Sequence, residues 1–476
     1  MKKLILTSLL CIYVCTYSQN YPFPQQNDYP YGIKPNIDDA ATMNKVLQDW
    51  FNVWRPTYLT SNGCPTEAKR IISGLSYGNG TCSEAQSYGM QILVYMDNWG
   101  NQTRNDFDAC FKYYKFYLHQ NSGLMLWWIN SDGTVNKNDW AGDADEEVAF
   151  SLLMADKQWG SNGNINYYEE AKKIIRKLEI YNVNLRYDFS TNEYGWLFPA
   201  YFMPHYWKEF QQVTNNDIWS RVTARSYQNL NEFQDRNYGN GYKTGLVYDA
   251  FDYQFNAVDN DHAKFSYDAC RVPWRIGTDY LWNGESQYYL ARYMPSRITQ
   301  WAKVAYGGNP ANSRESYSLD GNATSEYTSY GCTVGPMMVG AMTNSNDQAW
   351  LNTLYEFAKN IPFGQSYYDD NVLFLSMLTA TGNMPNFRVS SNKFANNSIE
   401  LTADELFVPT SIANQLQIKT SLKISELILY NNSGQKIKEF NLNYNNLYDF
   451  SDINKGFYLI KVSTTDKEKV YKIWVN

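Results

Sequence analysis

Two acidic residues stand at the beginning of an apolar helical pattern in residues 141–155. Asp143 and Asp145 come first, and apolar side chains then recur at the spacing that buries one face of a helix. Carboxylates held rigidly at a helix N-terminus suggest a site for chemistry. The alternative is structural, because Asp143 could cap the helix and the acids that follow it could offset the helix dipole.

Two further segments carry an acid in a distinctive setting. Residues 83–90 read Ser-Glu-Ala-Gln-Ser-Tyr-Gly-Met and place Glu84 at a predicted helix start. Residues 267–274 read Tyr-Asp-Ala-Cys-Arg-Val-Pro-Trp and place Asp268 in an irregular stretch before a helix that begins near its proline. Together with residues 141–155, these segments resemble, in the right order, three motifs of glycoside hydrolase family 8.

The resemblance implies an inverting glycosidase and assigns its acids. Glu84 is expected to be the general acid and Asp268 the general base, with roughly 6.5–9.5 Å between the two carboxyl groups in such enzymes. Asp143 is expected near Glu84, where its charge would keep a proton on that acid and its oxygens could bind a sugar hydroxyl. Without the motif, Glu84 would be interpreted as an ordinary acid of a first helical turn.

The same resemblance implies further residues that contact substrate. They are Tyr201, Arg271, Trp127, Tyr368 and Trp274. Tyr201 is expected to hold the attacking water, and Arg271 is expected to clamp the substrate or keep Asp268 ionised. Trp127 would stack on a sugar ring, although it and Tyr368 could equally belong to the core.

Composition narrows the class of protein. The net charge is −7 and no block of Lys and Arg occurs, which argues against nucleic acid as a partner. The chain contains 41 Tyr and 15 Trp, side chains that can stack on sugars while they bind hydroxyl groups. Its three histidines are isolated and its cysteines lack the paired spacing of a zinc site, so we expect no metal and no cofactor.

Residues 1–18 read as a cleavable secretory signal peptide. Two lysines precede a short apolar run that ends in small and polar residues. Two of the seven cysteines lie in this segment, so the other five allow at most two disulfides. We therefore expect a secreted or cell-surface protein. We also expect the protein to be a monomer.

Residues 19–388 are predicted to form a mainly α catalytic domain. Helical spacing indicates about a dozen helices between residues 38 and 380, one of them at 65–74. The resemblance implies an (α/α)6 barrel of six inner and six outer helices, whereas periodicity alone would also allow a helical solenoid. The long loops at the helix N-termini would then form one open face.

The sequence changes character near its C-terminal end. Residues 389–400 read as a linker, and residues 401–476 contain short alternating strands that predict a small β-sandwich. This segment resembles the C-terminal sorting domain of the type IX secretion system, which would make the secretion machinery a partner. A carbohydrate-binding sandwich is the rival interpretation.

The function predicted from these features is a secreted endo-acting β-1,4-glycanase. The setting of Asp268 resembles that of the family's cellulases and lichenases, which favours an endo-β-1,4-glucanase acting on cellulose or mixed-linkage β-glucan. A xylanase or chitosanase of the same family is the alternative. A non-catalytic glycan-binding surface protein is the alternative from another class, but such a protein would have no need of both Glu84 and Asp268.

Overall fold

The computed structural model describes residues 20–100, 102–184, 189–190, 196–284 and 290–388, and six stretches nearer the C-terminus. Those stretches are residues 411–412, 415–417, 424–431, 434–442, 447–464 and 468–475. The chain divides into two compact units, Met1–Ser391 and Asn392–Asn476. The predicted signal peptide at 1–18 and the predicted linker at 389–400 lie outside the described residues.

The first unit is mainly helical. Its described α-helices are α1 (Ala40–Tyr58), α2 (Ser83–Tyr95), α3 (Thr103–Phe116), α4 (Gly142–Trp159), α5 (Tyr167–Tyr181), α6 (Pro204–Thr214), α7 (Ile218–Gly239), α8 (Val272–Asn283), α9 (Leu290–Ala305), α10 (Tyr330–Thr333), α11 (Gly335–Ala341), α12 (Gln348–Ala358) and α13 (Tyr367–Ala380). Short 3₁₀ turns precede several of them, and Ala269–Arg271 is the one that matters for the site.

The helices pack as a barrel with an inner and an outer layer. Helices α2, α4, α6, α8, α11 and α13 contact one another in that order, and α13 contacts α2 again, so the inner ring closes. Helices α3, α5, α7, α9, α12 and α1 pack against successive members of this ring from outside. The expectation of a helical barrel is confirmed, and the closed ring excludes an open solenoid.

Burial along the helices explains these two layers. Every residue of α4 from Gly142 to Ala155 is buried, as expected for a helix with neighbours on all sides. In α5, burial is confined to one face that includes Tyr167, Ile174 and Leu178, and the opposite face carries Lys and Glu. The Asn166 side chain caps α5 by accepting a hydrogen bond from the Glu169 N–H.

Short strands join the helices of the first unit. They are β1 (Leu59–Thr60), β2 (Arg70–Ile71), β3 (Thr81–Cys82), β4 (Leu126–Ile129), β5 (Val135–Trp140), β6 (Val183–Asn184) and β7 (Phe189–Ser190). Strand β1 pairs with β2, β6 pairs with β7, and β3, β4 and β5 form an antiparallel sheet. The prediction of a helix at 65–74 is wrong, because this segment contains β2, and the Ile71 N–H donates to the Gln86 side chain.

The described part of the second unit consists of strands. They are β8 (Ser411–Ile412), β9 (Gln415–Gln417), β10 (Ile424–Asn431), β11 (Lys436–Glu439), β12 (Leu447–Asp449), β13 (Gly456–Thr464) and β14 (Glu468–Val475). Five form a sheet in the order β11-β10-β13-β14-β8, and β12 pairs with β9. Leu427, Leu429, Ile460 and Val462 lie in its apolar core. The β-sandwich itself stays a prediction.

Among the described residues, no helix combines the length and the apolar character needed to cross a membrane. All five cysteines of the described part, which are Cys64, Cys82, Cys110, Cys270 and Cys332, are free thiols.

Candidate active site

The acids predicted from the sequence come from one end of the inner ring. Glu84 is the second residue of α2, and Asp143 is the second residue of α4. Asp268 precedes the 3₁₀ turn Ala269–Arg271, which leads directly into α8. Because all three residues precede or begin inner helices, their side chains meet where these helix N-termini converge.

The Arg271 guanidinium joins the three carboxylates. Its Nη1 donates to Glu84 Oε2 at 2.7 Å and to Asp143 Oδ2 at 3.2 Å, and its Nη2 donates to Asp268 Oδ1. The Tyr88 hydroxyl lies 3.1 Å from the same Nη1. The Arg271 side chain is only 2% exposed, so this cation is fixed beneath the acids rather than extended into solvent.

Burial dominates the protonation of the two acids at the helix starts. It raises the pKa of Glu84 to about 7, although Arg271 opposes the rise, and the nearby charges of Asp143 and Asp268 add to it. Burial likewise raises the pKa of Asp143 to about 6 against the same guanidinium. Glu84 is therefore largely protonated below pH 7, and its side chain keeps 15% of its surface exposed for contact with a ligand.

A tyrosine that the sequence did not single out contacts the predicted acid. The Tyr367 hydroxyl donates to Glu84 Oε1 at 3.2 Å and lies 3.4 Å from Cys82 Sγ. The residue predicted from the sequence was its neighbour Tyr368, whose hydroxyl donates to the Tyr267 carbonyl. The adjacent tyrosines thus serve different purposes, although both line the cleft described below.

Asp249 holds the segment that carries Asp268. Its carboxylate accepts hydrogen bonds from the Ser266 N–H at 2.9 Å, the Ser266 hydroxyl at 2.7 Å and the Ala269 N–H at 2.8 Å. Burial and the charge of Asp268 raise the pKa of Asp249 to about 6. The bonds fix the backbone on both sides of Asp268, whose side chain remains 30% exposed. No motif in the sequence indicated this residue.

A second polar layer lies one helical turn below the first. Arg275 contacts Glu147 Oε1, and the Ser87 hydroxyl donates to Glu147 Oε2 at 2.6 Å. These three residues follow Arg271, Asp143 and Glu84 by one turn on α8, α4 and α2. Both Arg275 and Glu147 are almost fully buried, so the pair forms an ionic floor under the upper layer.

The prediction that Trp274 contacts substrate is wrong. This residue is 1% exposed, and the Arg275 guanidinium lies 3.9 Å from its ring centroid. Its ring also packs near Tyr88, with centroids 6.1 Å apart. Trp274 has no face available to a sugar, so it supports the floor of the site by packing.

The acids open into a cleft of about 1400 Å³. Four of the residues predicted to contact substrate line it, namely Trp127, Tyr201, Tyr368 and Arg271. Several other aromatic residues of its walls were not predicted from the sequence, namely Tyr77, Trp140, Trp196, Phe198, Tyr267 and Tyr367. Such walls offer apolar faces for sugar rings and polar edges for their hydroxyl groups.

Tyr201 lies close to the charged layer. Its ring stacks on Phe198 with centroids 5.0 Å apart and is 7% exposed. Burial and the charges of Asp143 and Asp268 raise the pKa of Tyr201 well above its usual value, so it keeps its proton. A protonated hydroxyl near Asp268 can hold a water molecule.

Asp143 and Asp145 differ in their contacts, although both lie in the first turn of α4. Asp145 accepts hydrogen bonds from the Tyr114 hydroxyl at 2.5 Å and from the Met125 N–H at 2.9 Å, so it braces the packing around α4. Asp143 does not cap the helix, because the N-cap is Ala141 and no side chain bonds there. Within the described residues, no group of three His, Cys, Asp or Glu is arranged to hold a metal ion.

Comparison with known proteins identifies the family of this chain. The model of the glycosyl hydrolases family 8 matches residues 21–382, and that of the secretion system C-terminal sorting domain matches residues 408–476. The chain therefore belongs to family 8 of the glycosyl hydrolases, and it is an enzyme. Its sorting domain makes it a secreted or cell-surface protein.

Several relatives are similar over most of their length. A β-glucanase of Niallia circulans is 34% identical over 385 residues, which covers 76% of this chain and 91% of the relative. An endoglucanase of Bacillus sp. (strain KSM-330) is 30% identical over 391 residues, covering 76% of this chain and 81% of the relative. The apo structure of a β-1,3-1,4-glucanase from Paenibacillus sp. X4 is 31% identical with a TM-score of 0.71, covering 77% and 99% of the two chains.

Proposed function

We propose that this protein is an inverting endo-β-1,4-glucanase that hydrolyses β-glucan chains, with Glu84 as general acid and Asp268 as general base. The observation that carries the proposal is the joining of Glu84, Asp143 and Asp268 through Arg271 in the aromatic cleft. Hydrolysis with inversion needs one protonated carboxyl and one carboxylate on opposite sides of the scissile bond.

Glu84 is suited to the acid step. With a pKa of about 7, it carries a proton in neutral and mildly acidic solution and can transfer it to the oxygen of the leaving sugar. The Tyr367 hydroxyl, at 3.2 Å, then stabilises the carboxylate that forms. Burial is the main cause of the raised pKa of Glu84, and the charge of Asp143 adds to it. In this proposal, Asp143 also offers an oxygen to a sugar hydroxyl next to the bond that breaks.

Asp268 is suited to the base step. Arg271 binds one of its oxygens, and its side chain is 30% exposed, so water from the cleft can reach it. In the proposed mechanism, Asp268 removes a proton from this water, and the oxygen attacks the anomeric carbon as the bond to the leaving sugar breaks. The Tyr201 hydroxyl orients the water, and Asp249 keeps the base in place through its three hydrogen bonds.

The glucan substrate is supported by the relatives and by the cleft. The similar proteins at 30–34% identity are a β-glucanase and endoglucanases, and the similar solved structure is a β-1,3-1,4-glucanase. Trp127 in β4 and Tyr368 in α13 offer rings to the sugars of a chain lying in the cleft. Relatives that release xylose are only 23–25% identical, so xylan, like chitosan, is an outcome that the experiment must distinguish.

The proposal extends to the organisation of the chain. We propose a signal peptide at 1–18, an (α/α)6 catalytic domain at 19–388, a linker at 389–400 and a β-sandwich sorting domain at 401–476. In this proposal the secretion machinery recognises the sorting domain, and the enzyme is a monomer that uses no cofactor.

The test is the release of reducing ends from mixed-linkage β-glucan, a soluble cellulose derivative, xylan and chitosan. We expect activity on the two glucans, and we expect Glu84→Gln and Asp268→Asn to lose at least about 10³-fold in kcat. Glu169→Gln is the matched control, because Glu169 is also an acid of a first helical turn but lies on the outer helix α5.

Three outcomes would contradict parts of the proposal. Normal turnover by Glu84→Gln would remove Glu84 from the acid role. Activity confined to xylan or chitosan would overturn the substrate. No activity on any of the four polymers would favour a glycan-binding protein.

A further inference from the structure

A second groove lies outside the catalytic cleft, between the outer helices α7 and α9. It has a volume of about 690 Å³ and shares no lining residue with the cleft. Helix α7 contributes Asn229, Glu232 and Asp235, and α9 contributes Tyr293 and Arg297. The groove therefore combines an aromatic ring with amide, carboxylate and guanidinium groups.

An arginine held between two tyrosines forms one side of the groove. The Arg297 guanidinium lies 4.0 Å from the ring centroid of Tyr293 and 4.6 Å from that of Tyr238. This stacking fixes a planar set of N–H donors without a strong ion pair, since the nearest carboxylate oxygen, of Asp235, is 3.3 Å away. Tyr293 is 51% exposed, so part of its ring remains open to a ligand.

The groove also contains buried donors without partners. Asn229 is 7% exposed, and its Nδ2 makes no hydrogen bond. The Nε of Arg297, which is also buried, makes none either. Unpaired buried donors are unfavourable, so side chains in this state are suited to a ligand that brings hydrogen-bond acceptors into the groove.

The charges of the groove favour a neutral ligand. Arg297 and Asp235 are close to each other, and Glu232 forms an ion pair of 2.6 Å with Arg236. Two cations, Arg225 and Arg297, and two anions, Glu232 and Asp235, line the groove, so it has no net charge that would select an anion or a cation. A neutral sugar chain satisfies what remains, since its hydroxyl oxygens accept hydrogen bonds and its C–H face packs on an aromatic ring.

We propose that this groove is a second polysaccharide-binding site, which holds a segment of the same β-glucan that the cleft cleaves. One sugar packs on the exposed part of the Tyr293 ring, and hydroxyl groups of the chain accept from Asn229 and Arg297. The proposal rests on the proposed glucanase function. Binding at the groove would keep the polymer on the enzyme. This raises the effective concentration of cleavable bonds near the cleft.

The test compares polymeric and short substrates in Tyr293→Ala. The KM for mixed-linkage β-glucan should rise about 3- to 10-fold, which is the effect of losing one aromatic contact. The value of kcat/KM for a soluble oligosaccharide too short to reach from cleft to groove should not change. Tyr293→Phe should behave like the wild type, because it keeps the ring.

Tyr242→Ala is the matched control, since Tyr242 is 44% exposed and lines neither groove nor cleft. Affinity electrophoresis in gels with β-glucan gives a second readout, in which Tyr293→Ala alone should be retarded less. A KM for the polymer equal to that of the control would overturn the second site. An equal fall of kcat/KM on the oligosaccharide would overturn it too, since the substitution would then act on the cleft.

The proposed function fails in a different way. A wild-type enzyme that cleaves only xylan or chitosan would refute the glucanase assignment, and with it the ligand proposed for the groove. Normal cleavage of glucan with an unchanged KM in Tyr293→Ala would refute the second site alone.

Discussion

Replacing Asp143 with Asn should move the pH at which the enzyme loses activity in alkaline solution. The proposed acid must be protonated, so activity falls as pH rises through the pKa of Glu84, which is about 7. The carboxylate of Asp143 is one of the charges that raise this pKa. Asp143 has a pKa of about 6 and is mostly ionised near pH 7, so its charge is present when Glu84 titrates.

The distance between the two carboxylates sets the expected change in the pKa of Glu84. Glu84 Oε2 and Asp143 Oδ2 lie 2.7 and 3.2 Å from the same nitrogen of Arg271. At the largest separation this allows, about 6 Å, two unit charges repel by about 0.7 kcal/mol in water and by about 3 kcal/mol at an effective dielectric constant of 20. Removing this repulsion should lower the pKa of Glu84 by about 0.5 to 2 pH units.

The assay is the pH profile of kcat/KM on β-glucan, normalised to its own maximum. Normalisation is needed because Asp143→Asn also loses a proposed contact to the sugar and will have a lower maximal rate. The alkaline limb should move to lower pH by about 0.5 to 2 pH units. In the variant, Arg271 is also free to bind Glu84 more closely, and this acts in the same direction.

Asp145→Asn provides the control on the same helix. The Asp145 side chain binds the Tyr114 hydroxyl and the Met125 N–H, and its charge is not among the main causes that shift the pKa of Glu84. Its alkaline limb should stay in place. An unchanged limb in Asp143→Asn, or a limb moved to higher pH, would refute the coupling between Asp143 and Glu84.

Four further predictions follow from the contacts described above. Asp249→Asn replaces an acceptor of three hydrogen bonds, so kcat on β-glucan should fall about 10-fold or more with little change in KM, and an unchanged kcat would show that the segment holds without it. Arg275→Met leaves Glu147 buried and unpaired, so the free energy of unfolding in denaturant titration should fall by about 3–5 kcal/mol, whereas Arg275→Met combined with Glu147→Met should recover much of it; equal losses would contradict an ion pair. Tyr201→Phe should lower kcat about 100-fold with little effect on binding of β-glucan in the gel assay, and a rise in KM alone would indicate a sugar contact instead. A chain that ends at Ser391 should keep the full reducing-end activity, because the first unit is compact by itself, and loss of activity would assign substrate binding to the second unit.

The helical part of the fold could largely be predicted from sequence. Helix α4 begins at Gly142, within the segment 141–155 whose apolar spacing predicted a helix. The prediction of a helix at 65–74 was wrong because the apolar spacing of this segment resembles that of a helix, whereas part of its backbone pairs with β1. Pairing between residues ten to twelve positions apart leaves no periodic signal in a strand of two residues.

The site was predictable where residues belong to motifs. Glu84, Asp143, Asp268 and Arg271 do meet, and a search for acids at predicted helix starts would find two of them. Asp249 could not be found in this way. It acts through three hydrogen bonds to Ser266 and Ala269, which lie about 20 residues later in the chain.

The aromatic residues were harder to assign. Sequence alone does not distinguish a ring that faces the cleft from one that packs below it. Trp274 was predicted to face the cleft and does not, whereas Tyr367 lines the cleft and was not predicted. Trp274 adjoins the site residues in sequence, yet the helical turn directs it beneath Arg275. Tyr367 was not among the predicted residues, although its position at the first residue of α13 brings its hydroxyl to Glu84.

The most direct test of the central claim is the anomeric configuration of the product first released from β-glucan, followed by NMR before mutarotation. Direct attack of a water activated by Asp268, with Glu84 as acid, predicts that the α-anomer forms first. Initial formation of the β-anomer would contradict the account, because it would require a covalent intermediate on one of these carboxylates.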